Sequence, residues 1–342
     1  MRAIEQLIRP ELLSLKPYSS ARDEFQGRAD VFIDANENPF ENGVNRYPDP
    51  LQRALKKRIS EIKNLPEDQI FLGNGSDEVL DLIFRLFCVP GKDAVIITPP
   101  TYGMYKVLAG INNIFVKSVN LTSDFQLQHD AILKTYDRET KLLFLCSPNN
   151  PVGISLHQDT VEHIIDQFPG IVVIDEAYID FSNQPGFMEL ISGKPNLIVV
   201  QTLSKAWGMA GIRLGMAFTN SYIVSALNKI KPPYNVNVLT QRRSLQGLEN
   251  IGEFTKNIEI IKSEKDRVGK ILATLPMVER VFDSDANFLL VKFDDCMRYF
   301  NGLKNEGIIV RDRSQQQGCA GCLRITIGTP EENDKLIKWL VK

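Results

Sequence analysis

From about residue 69 onward, short apolar segments alternate with amphipathic segments of helical length, and this alternation restricts the possible folds more than any other feature. The strand-like segments read QIFLG, AVIIT, KLLFLC, GIVVIDE, NLIVVQT and GMAFT. Between them, SDEVLDLIFRLF and HQDTVEHIIDQF place apolar residues at helical spacing. Strands that alternate with helices build largely parallel sheets covered on both faces, so we predict ligand binding at the carboxyl ends of the strands.

The pattern changes after residue 220, which indicates a second unit. Its elements are a long charged helical stretch over about 240–275, strands near 278–282 and 287–293, a helix near 295–306 and a closing helix after Pro330. A chain of 342 residues also exceeds what one hydrophobic core serves. We therefore predict an α/β fold with a large, mostly parallel αβα sandwich domain at 46–240. Residues 1–45, with a short strand VFID, and 241–342 would form a smaller α+β domain.

Composition excludes several classes of protein. Apolar residues make up 43% and charged residues 24%, as in ordinary globular proteins. The net charge of −2 gives no basic surplus that would favour nucleic acid or an acidic membrane. Neither a signal-peptide core nor a run of about 18 apolar residues occurs, so we expect a soluble, cytoplasmic protein.

The five cysteines do not resemble a disulfide scaffold. Cys88 and Cys146 lie in apolar runs and are expected to be reduced core residues. Cys319 and Cys322 form a C-x-x-C pair, which could be redox-active or half of a metal site. No second cysteine pair or histidine cluster accompanies them, so we predict no metal.

Four polar clusters follow predicted strands, and the first is GNGSDEVL at residues 73–80. Glycines precede Ser76 and Asp77, which open a helix. Free backbone N–H groups and the positive end of the helix dipole would then face an anion such as a phosphate. The alternative is that Ser76 is an ordinary N-cap.

The second and third clusters carry amides and a carboxylate. In CSPNNPVG, Asn149 and Asn150 either donate to a ligand oxygen or only build a turn. In IVVIDEAYIDF, Asp175 ends a strand that is buried on both faces, where a carboxylate needs a partner. That partner could be the protonated ring nitrogen of a cofactor, a metal or a neighbouring N–H.

The fourth cluster is TLSKAWGMAGIRLG at residues 202–215. A desolvated Lys205 would be an amine nucleophile able to form an imine with an aldehyde. Arg213 offers a fork for phosphate, and Thr202 and Ser204 add hydroxyl groups. Alternatively, Lys205 extends to solvent and Arg213 pairs with a carboxylate. Pyridoxal 5′-phosphate fits the four clusters together through its phosphate, its ring nitrogen and its aldehyde.

The sequence also resembles the class II, fold-type I pyridoxal-phosphate aminotransferases. The resemblance rests on ANENPF, RYPDP, GNGSDE, PTYGMY, SPNNPVG, DEAY, TLSKAWGMAGIRLG, KPPYNV, VRDRS and CLRITIG, which occur in this order over nearly the whole chain. One departure is Val152, where this family usually has threonine.

The resemblance implies a role for each cofactor residue. Lys205 would bind the cofactor covalently and move the proton during catalysis, with Asp175 and Tyr178 as further catalytic residues. Asp175 would keep the ring nitrogen protonated, Tyr178 and Asn150 would bond the ring hydroxyl, and Tyr102 would stack on the ring. The phosphate would be held by Ser76, Asp77, Thr202, Ser204 and Arg213, and by Tyr47 of a neighbouring subunit in a homodimer.

The resemblance also implies the substrates, histidinol phosphate and 2-oxoglutarate, which would exchange an amino group to give imidazole-acetol phosphate and glutamate in histidine biosynthesis. Arg324 would bind the glutamate carboxylate and the substrate phosphate, with Asn150, Arg311 and Tyr18 as further substrate contacts. Transamination of aromatic amino acids, or decarboxylation of threonine phosphate, is the alternative on the same scaffold. A non-catalytic binding module is a third hypothesis, which the full set of chemical residues disfavours.

Overall fold

The computed structural model describes residues 3–18, 25 and 30–341. The helices are α1 (Ile4–Leu7), α2 (Pro10–Leu13), α3 (Arg53–Lys63), α4 (Ser76–Phe87), α5 (Met104–Ile111), α6 (His129–Thr135), α7 (Gln158–Gln167), α8 (Ser221–Ile230), α9 (Val238–Glu249), α10 (Ile251–Leu272), α11 (Cys296–Asn305) and α12 (Pro330–Leu340). The strands are β1 (Ile70–Asn74), β2 (Ala94–Ile97), β3 (Phe115–Ser118), β4 (Thr140–Cys146), β5 (Ile171–Asp175), β6 (Leu197–Thr202), β7 (Leu214–Phe218), β8 (Val278–Val281), β9 (Phe288–Phe293), β10 (Arg311–Asp312) and β11 (Cys322–Thr326). Short 3-10 turns cover Glu67–Gln69, Ile179–Phe181, Met188–Ser192 and Ala210–Ile212.

The larger sheet has seven strands in the order β1-β7-β6-β5-β4-β2-β3. Only β7 runs against the others, since it is antiparallel to both β1 and β6, while the pairs from β6 through β3 are parallel. The predicted α/β class with a mostly parallel sheet is therefore confirmed.

Two hydrophobic cores cover the faces of this sheet, as period-two side-chain alternation requires. In β4, Leu142 and Phe144 face one core, whereas Leu143 and Leu145 face the other. Helix α4 packs on the first of these faces with seven buried apolar residues. The strands other than the edge strand β3 are thus buried on both sides, which explains their apolar sequences and leaves the carboxyl ends of the parallel strands accessible to a ligand.

The second sheet is antiparallel, in the order β10-β11-β9-β8. It packs with α10, α11 and α12 around a separate core, to which these helices contribute Val268, Leu303 and Leu336, respectively. The positions of β8, β9, α11 and α12 agree with the sequence pattern. The charged stretch after residue 238 forms two helices rather than one.

The N-terminal segment differs from its expected packing. Leu7 and Ile8 lie in the core of the large sheet, and the N–H of Arg9 donates to the carbonyl of Leu86 at 3.0 Å. Residues 31–33, within the expected strand VFID, form no regular element. The domain boundaries stay a prediction, and these contacts favour assigning residues 4–13 to the large domain.

Within the part of the chain that the structure describes, none of the helices combines the length and the apolar character that crossing a lipid bilayer requires.

Candidate active site

A cavity of about 250 Å³ lies at the carboxyl edge of the large sheet, where β1, β4, β5 and β6 end. Its lining residues are Ser76, Asp77, Tyr102, Cys146, Asn150, Asp175, Ala177, Tyr178, Thr202, Ser204, Lys205, Ala210, Arg213, Arg313 and Arg324. A wider cleft of about 670 Å³ opens on another side of Lys205, beside Trp207 and Phe254. The smaller cavity is the candidate active site because most of the sequence-predicted chemical groups converge there.

Two glycines shape the end of the cavity at the start of α4. Gly75 has φ +82°, and a Cβ there would lie 2.6 Å from Nη2 of Arg213. A Cβ on Gly215 would overlap the backbone nitrogen of Ser76. The residue at the N-cap position is Gly75, which makes no side-chain cap bond. Ser76 therefore does not act as the N-cap, and the first-turn N–H groups adjoin the arginine as an anion site requires.

Arg213 is held at this end by an unusual backbone conformation. Its φ is +56°, in the left-handed region that non-glycine residues seldom adopt. Nη2 of Arg213 lies 3.6 Å from Oδ2 of Asp77, and both side chains remain partly exposed. Arg213 therefore has the carboxylate partner that the sequence analysis gave as an alternative. The contact is long and leaves the guanidinium accessible to a ligand.

Asp175 ends β5 and is only 4% exposed. Its Oδ2 accepts a 2.8 Å hydrogen bond from the hydroxyl of Tyr105, and its Oδ1 accepts one of 3.1 Å from the N–H of Ala177. Burial raises the pKa of Asp175 to about 6, although the two hydrogen bonds oppose this shift. The carboxylate is therefore available near neutral pH as a buried negative charge.

Tyr105 is a site residue that the sequence did not single out. It is fully buried in α5 and packs against Phe144 with ring centroids 5.0 Å apart. Its position resembles that of a core aromatic, so its hydrogen bond to Asp175 could be anticipated only from the final tyrosine of PTYGMY.

Lys205 follows β6 in a turn that Thr202 supports. Oγ1 of Thr202 accepts from the N–H of Ser204 at 3.1 Å and lies 3.0 Å from the carbonyl oxygen of Leu214. The residue Lys205 as a whole is exposed at the mouth of the cavity. Partial burial of its amine, together with nearby Arg324, nevertheless lowers its pKa from 10.5. Both effects favour the neutral amine that a nucleophile needs.

Two tyrosines form the walls between these groups. The hydroxyl of Tyr102 donates to Oδ1 of Asp77 at 3.1 Å. Tyr178 is 7% exposed, packs edge-on against Phe288, and has Nζ of Lys205 5.7 Å from its ring centroid. Burial raises the pKa of both phenols, so both are neutral hydrogen-bonding groups at physiological pH.

The two asparagines after β4 have different environments. Asn149 builds the turn, since its Oδ1 accepts from the N–H of Val152 and its Nδ2 donates to the carbonyl of Pro100. Asn150 lines the cavity, and its Oδ1 accepts a 2.6 Å bond from Nη1 of Arg324. Val152 is fully buried in the apolar core, so its departure from the family pattern leaves the cavity unaffected.

The arginines of the small sheet separate into two positions. Arg324 in β11 is opposite Arg311 in β10. Arg324 lines the cavity, whereas Arg311 is exposed and borders another surface pocket beside Phe300 and Lys304. Arg313, which the sequence analysis did not select, lines the cavity instead. It belongs to the same VRDRS motif, whose two arginines the sequence alone does not distinguish.

Two residues that the sequence analysis assigned to the site do not line the cavity of their own chain. Tyr47 is 52% exposed and stacks on Tyr234 with centroids 4.4 Å apart. Tyr18 is 70% exposed. The expected role of Tyr47 concerns a neighbouring subunit, so its distance from the cavity of its own chain leaves that prediction open.

Cys319 and Cys322 are fully buried in the apolar cluster that covers one face of the large sheet, and Cys322 is also the first residue of β11 in the small sheet. Burial raises the pKa of the Cys319 thiol to about 11 and that of Cys322 to about 12. The thiolate forms that redox exchange requires are therefore disfavoured.

A family model for class I and II aminotransferases matches residues 26–340. The chain therefore belongs to the class I and II aminotransferase family. It is similar to the histidinol-phosphate aminotransferase of Parabacteroides distasonis, with 54% identity over 337 residues that cover 98% of each chain. The family resemblance inferred from the ordered motifs is thereby confirmed.

Solved structures agree with the fold. A histidinol-phosphate aminotransferase from Clostridium acetobutylicum superposes with a TM-score of 0.80 at 25% identity, covering 87% of this chain and 90% of that one. The enzyme of the same name from Sinorhizobium meliloti, in complex with pyridoxal-5′-phosphate, has a TM-score of 0.78 at 23% identity over 86% of this chain and 82% of that one.

Proposed function

We propose that this chain is a cytoplasmic, pyridoxal-phosphate-dependent aminotransferase that converts histidinol phosphate and 2-oxoglutarate reversibly to imidazole-acetol phosphate and glutamate, in histidine biosynthesis. The observation that carries the proposal is the convergence of Lys205, Asp175 and the start of α4 on one cavity. The chain's similarity to a histidinol-phosphate aminotransferase over 98% of its length supports the choice of substrate.

The residues of the cavity suit this cofactor. The N-terminus of α4, which has no side-chain cap, is suited together with Arg213 and Ser204 to bind the phosphate of the cofactor. The buried Asp175 is suited to pair with the protonated ring nitrogen. Lys205 would attach it covalently, Tyr102 would cover a ring face, and Asn150 with Tyr178 would bond its ring hydroxyl. When bound, the cofactor supplies an electron sink for the carbon that bears the amino group.

In this reaction the protein's own residues would hold and transfer protons and place a negative charge beside the cofactor. Asp175 remains charged above its pKa of about 6 and is fixed by Tyr105 and the Ala177 N–H, so it would hold a proton on the facing ring nitrogen. The lowered pKa of Lys205 suits Nζ to accept and return a proton. Tyr178, close to Nζ, would keep that amine oriented.

Arg324 is the proposed substrate anchor. Its Nη1 donates to Asn150, and its guanidinium lies 5.1 Å from the ring centroid of Phe288, which together orient its remaining donors. A guanidinium fork binds a carboxylate or a phosphate in the same geometry, so Arg324 can serve both substrates in turn. Arg311 and Tyr18 are proposed as outer contacts to the phosphate.

We also propose a homodimer in which Tyr47 completes the partner's phosphate site. Leu239 lines a surface pocket with Tyr47 and is 61% exposed, and two apolar side chains earlier in the chain are also strongly exposed, Ile33 at 91% and Phe40 at 80%. A surface of this kind is typical of an association site, and a symmetric dimer would bury it twice.

Mixed dimers test this arrangement. Subunits carrying Lys205→Ala are mixed with subunits carrying Tyr47→Phe, and transaminase turnover is assayed at limiting cofactor. If Tyr47 acts across the interface, one site of each mixed dimer regains both native residues and turnover exceeds that of either variant alone. Turnover equal to the average of the two unmixed variants would place Tyr47 in its own subunit's site.

A substrate panel tests the reaction. Glutamate should convert the absorbance of the bound cofactor from the aldehyde-derived form to the amine form, and imidazole-acetol phosphate should reverse it. Histidinol phosphate should be a far better amino donor than phenylalanine, and threonine phosphate should release no carbon dioxide. Efficient use of phenylalanine without use of histidinol phosphate would refute the proposed substrate.

A further inference from the structure

The turn between β1 and α4 leaves backbone donors free at the end of the cavity that Ser76 and Asp77 line. A helix begins with four N–H groups that have no intrahelical acceptor. In α4 they belong to Gly75, Ser76, Asp77 and Glu78. The N–H of Gly75 donates to the carbonyl of Gly73 at 2.9 Å. The following three N–H groups are therefore the donors that this turn can offer to an anion.

The side chain of Glu78 folds back onto the same turn. Its Oε2 accepts a hydrogen bond from the N–H of Asn74, the last residue of β1. A Cβ on Gly73 would lie 3.2 Å from this oxygen, so the carboxylate lies against the glycine. In a capping box, the glutamate at this third helical position accepts the N–H of the N-cap residue. Here it accepts the N–H one residue earlier, which fixes the turn without occupying the donors of the first helical turn.

Asn235, in the segment between α8 and α9, holds that carboxylate in place. Its Nδ2 donates to Oε2 of Glu78 at 2.9 Å and to the carbonyl of Leu72 in β1 at 3.0 Å. An amide nitrogen carries two hydrogens, so both bonds can form together. Since Leu72 precedes the turn and Glu78 follows it, the amide of Asn235 ties the strand to the helix on either side of the turn.

The charge of Glu78 does not explain its position beside an anion site, because a carboxylate repels a phosphate. A role confined to α4 would not explain the contacts either, since an acidic residue in the first turn interacts favourably with the helix dipole from solvent. Glu78 instead uses one oxygen to bind two groups outside the helix, the N–H of Asn74 and the amide of Asn235. These contacts indicate that the carboxylate acts by fixing the shape of the turn.

We infer that Glu78 is a positioning residue that, held by Asn235, keeps the N–H groups at the start of α4 in the arrangement that binds the phosphate of the cofactor. The inference rests on the proposed function and adds to it a side chain that does not line the cavity. Donors that are already fixed in the bound arrangement lose less freedom on binding, which strengthens association. Loss of the Glu78 carboxylate should therefore weaken the phosphate contacts and leave the other contacts of the cofactor unchanged.

The test compares pyridoxal 5′-phosphate with pyridoxal, which lacks only the phosphate, in absorbance titrations of the cofactor-free, full-length protein. Glu78→Ala should raise the Kd for pyridoxal 5′-phosphate at least about tenfold and change the Kd for pyridoxal less than about twofold. Glu78→Gln keeps an acceptor oxygen and the size of the side chain, so it should recover most of the loss. Asn235→Ala removes one neutral donor and should raise the Kd for pyridoxal 5′-phosphate about two- to tenfold. Glu162→Ala removes a similarly half-buried carboxylate from α7 and is the matched control, with both constants unchanged.

A rise of similar size for pyridoxal and pyridoxal 5′-phosphate would show that Glu78 only supports the fold, and unchanged constants for both would show that the turn keeps its shape without the carboxylate. Either result overturns the inference. Thermal unfolding checks that Glu78→Ala is folded; if it is not, Asn235→Ala carries the same comparison, with the same two results against the inference. Wild-type protein that bound neither compound would refute the proposed function as well.

Discussion

The two ends of the cavity are built differently. The cofactor end consists of residues that end or follow buried strands of the large sheet, such as Asp175, which ends β5 after four apolar residues. The substrate end consists of Arg324 in β11, of β10, which is a strand of only two residues, and of the turns that follow β10. A long buried strand fixes where its last residue lies, while a short strand leaves the direction of each side chain to its local contacts.

This difference predicts that substitutions at the cofactor end abolish both half-reactions, whereas substitutions in β10 and the turn after it affect one substrate more than the other. The largest effect is expected for Lys205→Ala, because Nζ supplies both the covalent bond and the proton transfer. We expect turnover to fall at least about 10³-fold with both substrates. Lys106→Ala, at an exposed position of α5, is the control and should retain full activity.

Borohydride reduction followed by peptide mapping checks the same residue without an activity measurement. The cofactor should be recovered on the peptide that contains Lys205. Its recovery on another lysine would remove Lys205 from the proposed mechanism, whatever the turnover of the variant.

Asp175→Asn is expected to have the next largest effect on turnover. The amide keeps the size of the side chain but removes the buried negative charge that would hold the ring nitrogen protonated. We expect a loss of at least about 10²-fold in both half-reactions, measured in single-turnover absorbance experiments. A loss confined to one substrate would contradict the assignment of Asp175 to the cofactor end.

The same carboxyl group should be visible in the pH dependence of stability. Folding raises the pKa of Asp175 from 3.8 to about 6, so its protonated form is favoured in the folded state. The resulting stabilisation is fully present below pH 3.8 and is lost as pH rises to about 6. The shift corresponds to about 3 kcal/mol in the free energy of unfolding. The free energy of unfolding of the cofactor-free protein, measured at about pH 4 and about pH 7, tests this contribution. Asp175→Asn should lower the free energy of unfolding at about pH 4 relative to that at about pH 7 by this amount.

The contrast between the two ends also explains what the sequence predicted. The apolar runs before Asp175 and before Lys205, and the glycines before Ser76, are local patterns that place each residue at the end of a strand, so the sequence was sufficient to predict that these residues meet at one edge of the sheet. Tyr105 was missed because a buried aromatic in a helix resembles core packing, and only the folded chain brings its hydroxyl 2.8 Å from Asp175.

Long-range packing limited the remaining predictions. Nothing local shows that Leu7 and Ile8 pack against the large-sheet core, because that contact joins distant parts of the sequence, as the bond between Arg9 and Leu86 illustrates. Arg311 and Arg313 belong to one short motif, so only the fold distinguishes the exposed residue from the one that lines the cavity.

The smallest effect is expected for Arg311→Gln. Arg311 is exposed, and an ion pair at such a position contributes about 0–1 kcal/mol because water screens it. We therefore expect kcat/KM for histidinol phosphate to fall less than about fivefold, and the remaining loss to shrink as salt is added. Kinetics at low and high ionic strength would measure both. A loss above about tenfold that persists at high ionic strength would mean that Arg311 turns into the cavity when substrate binds.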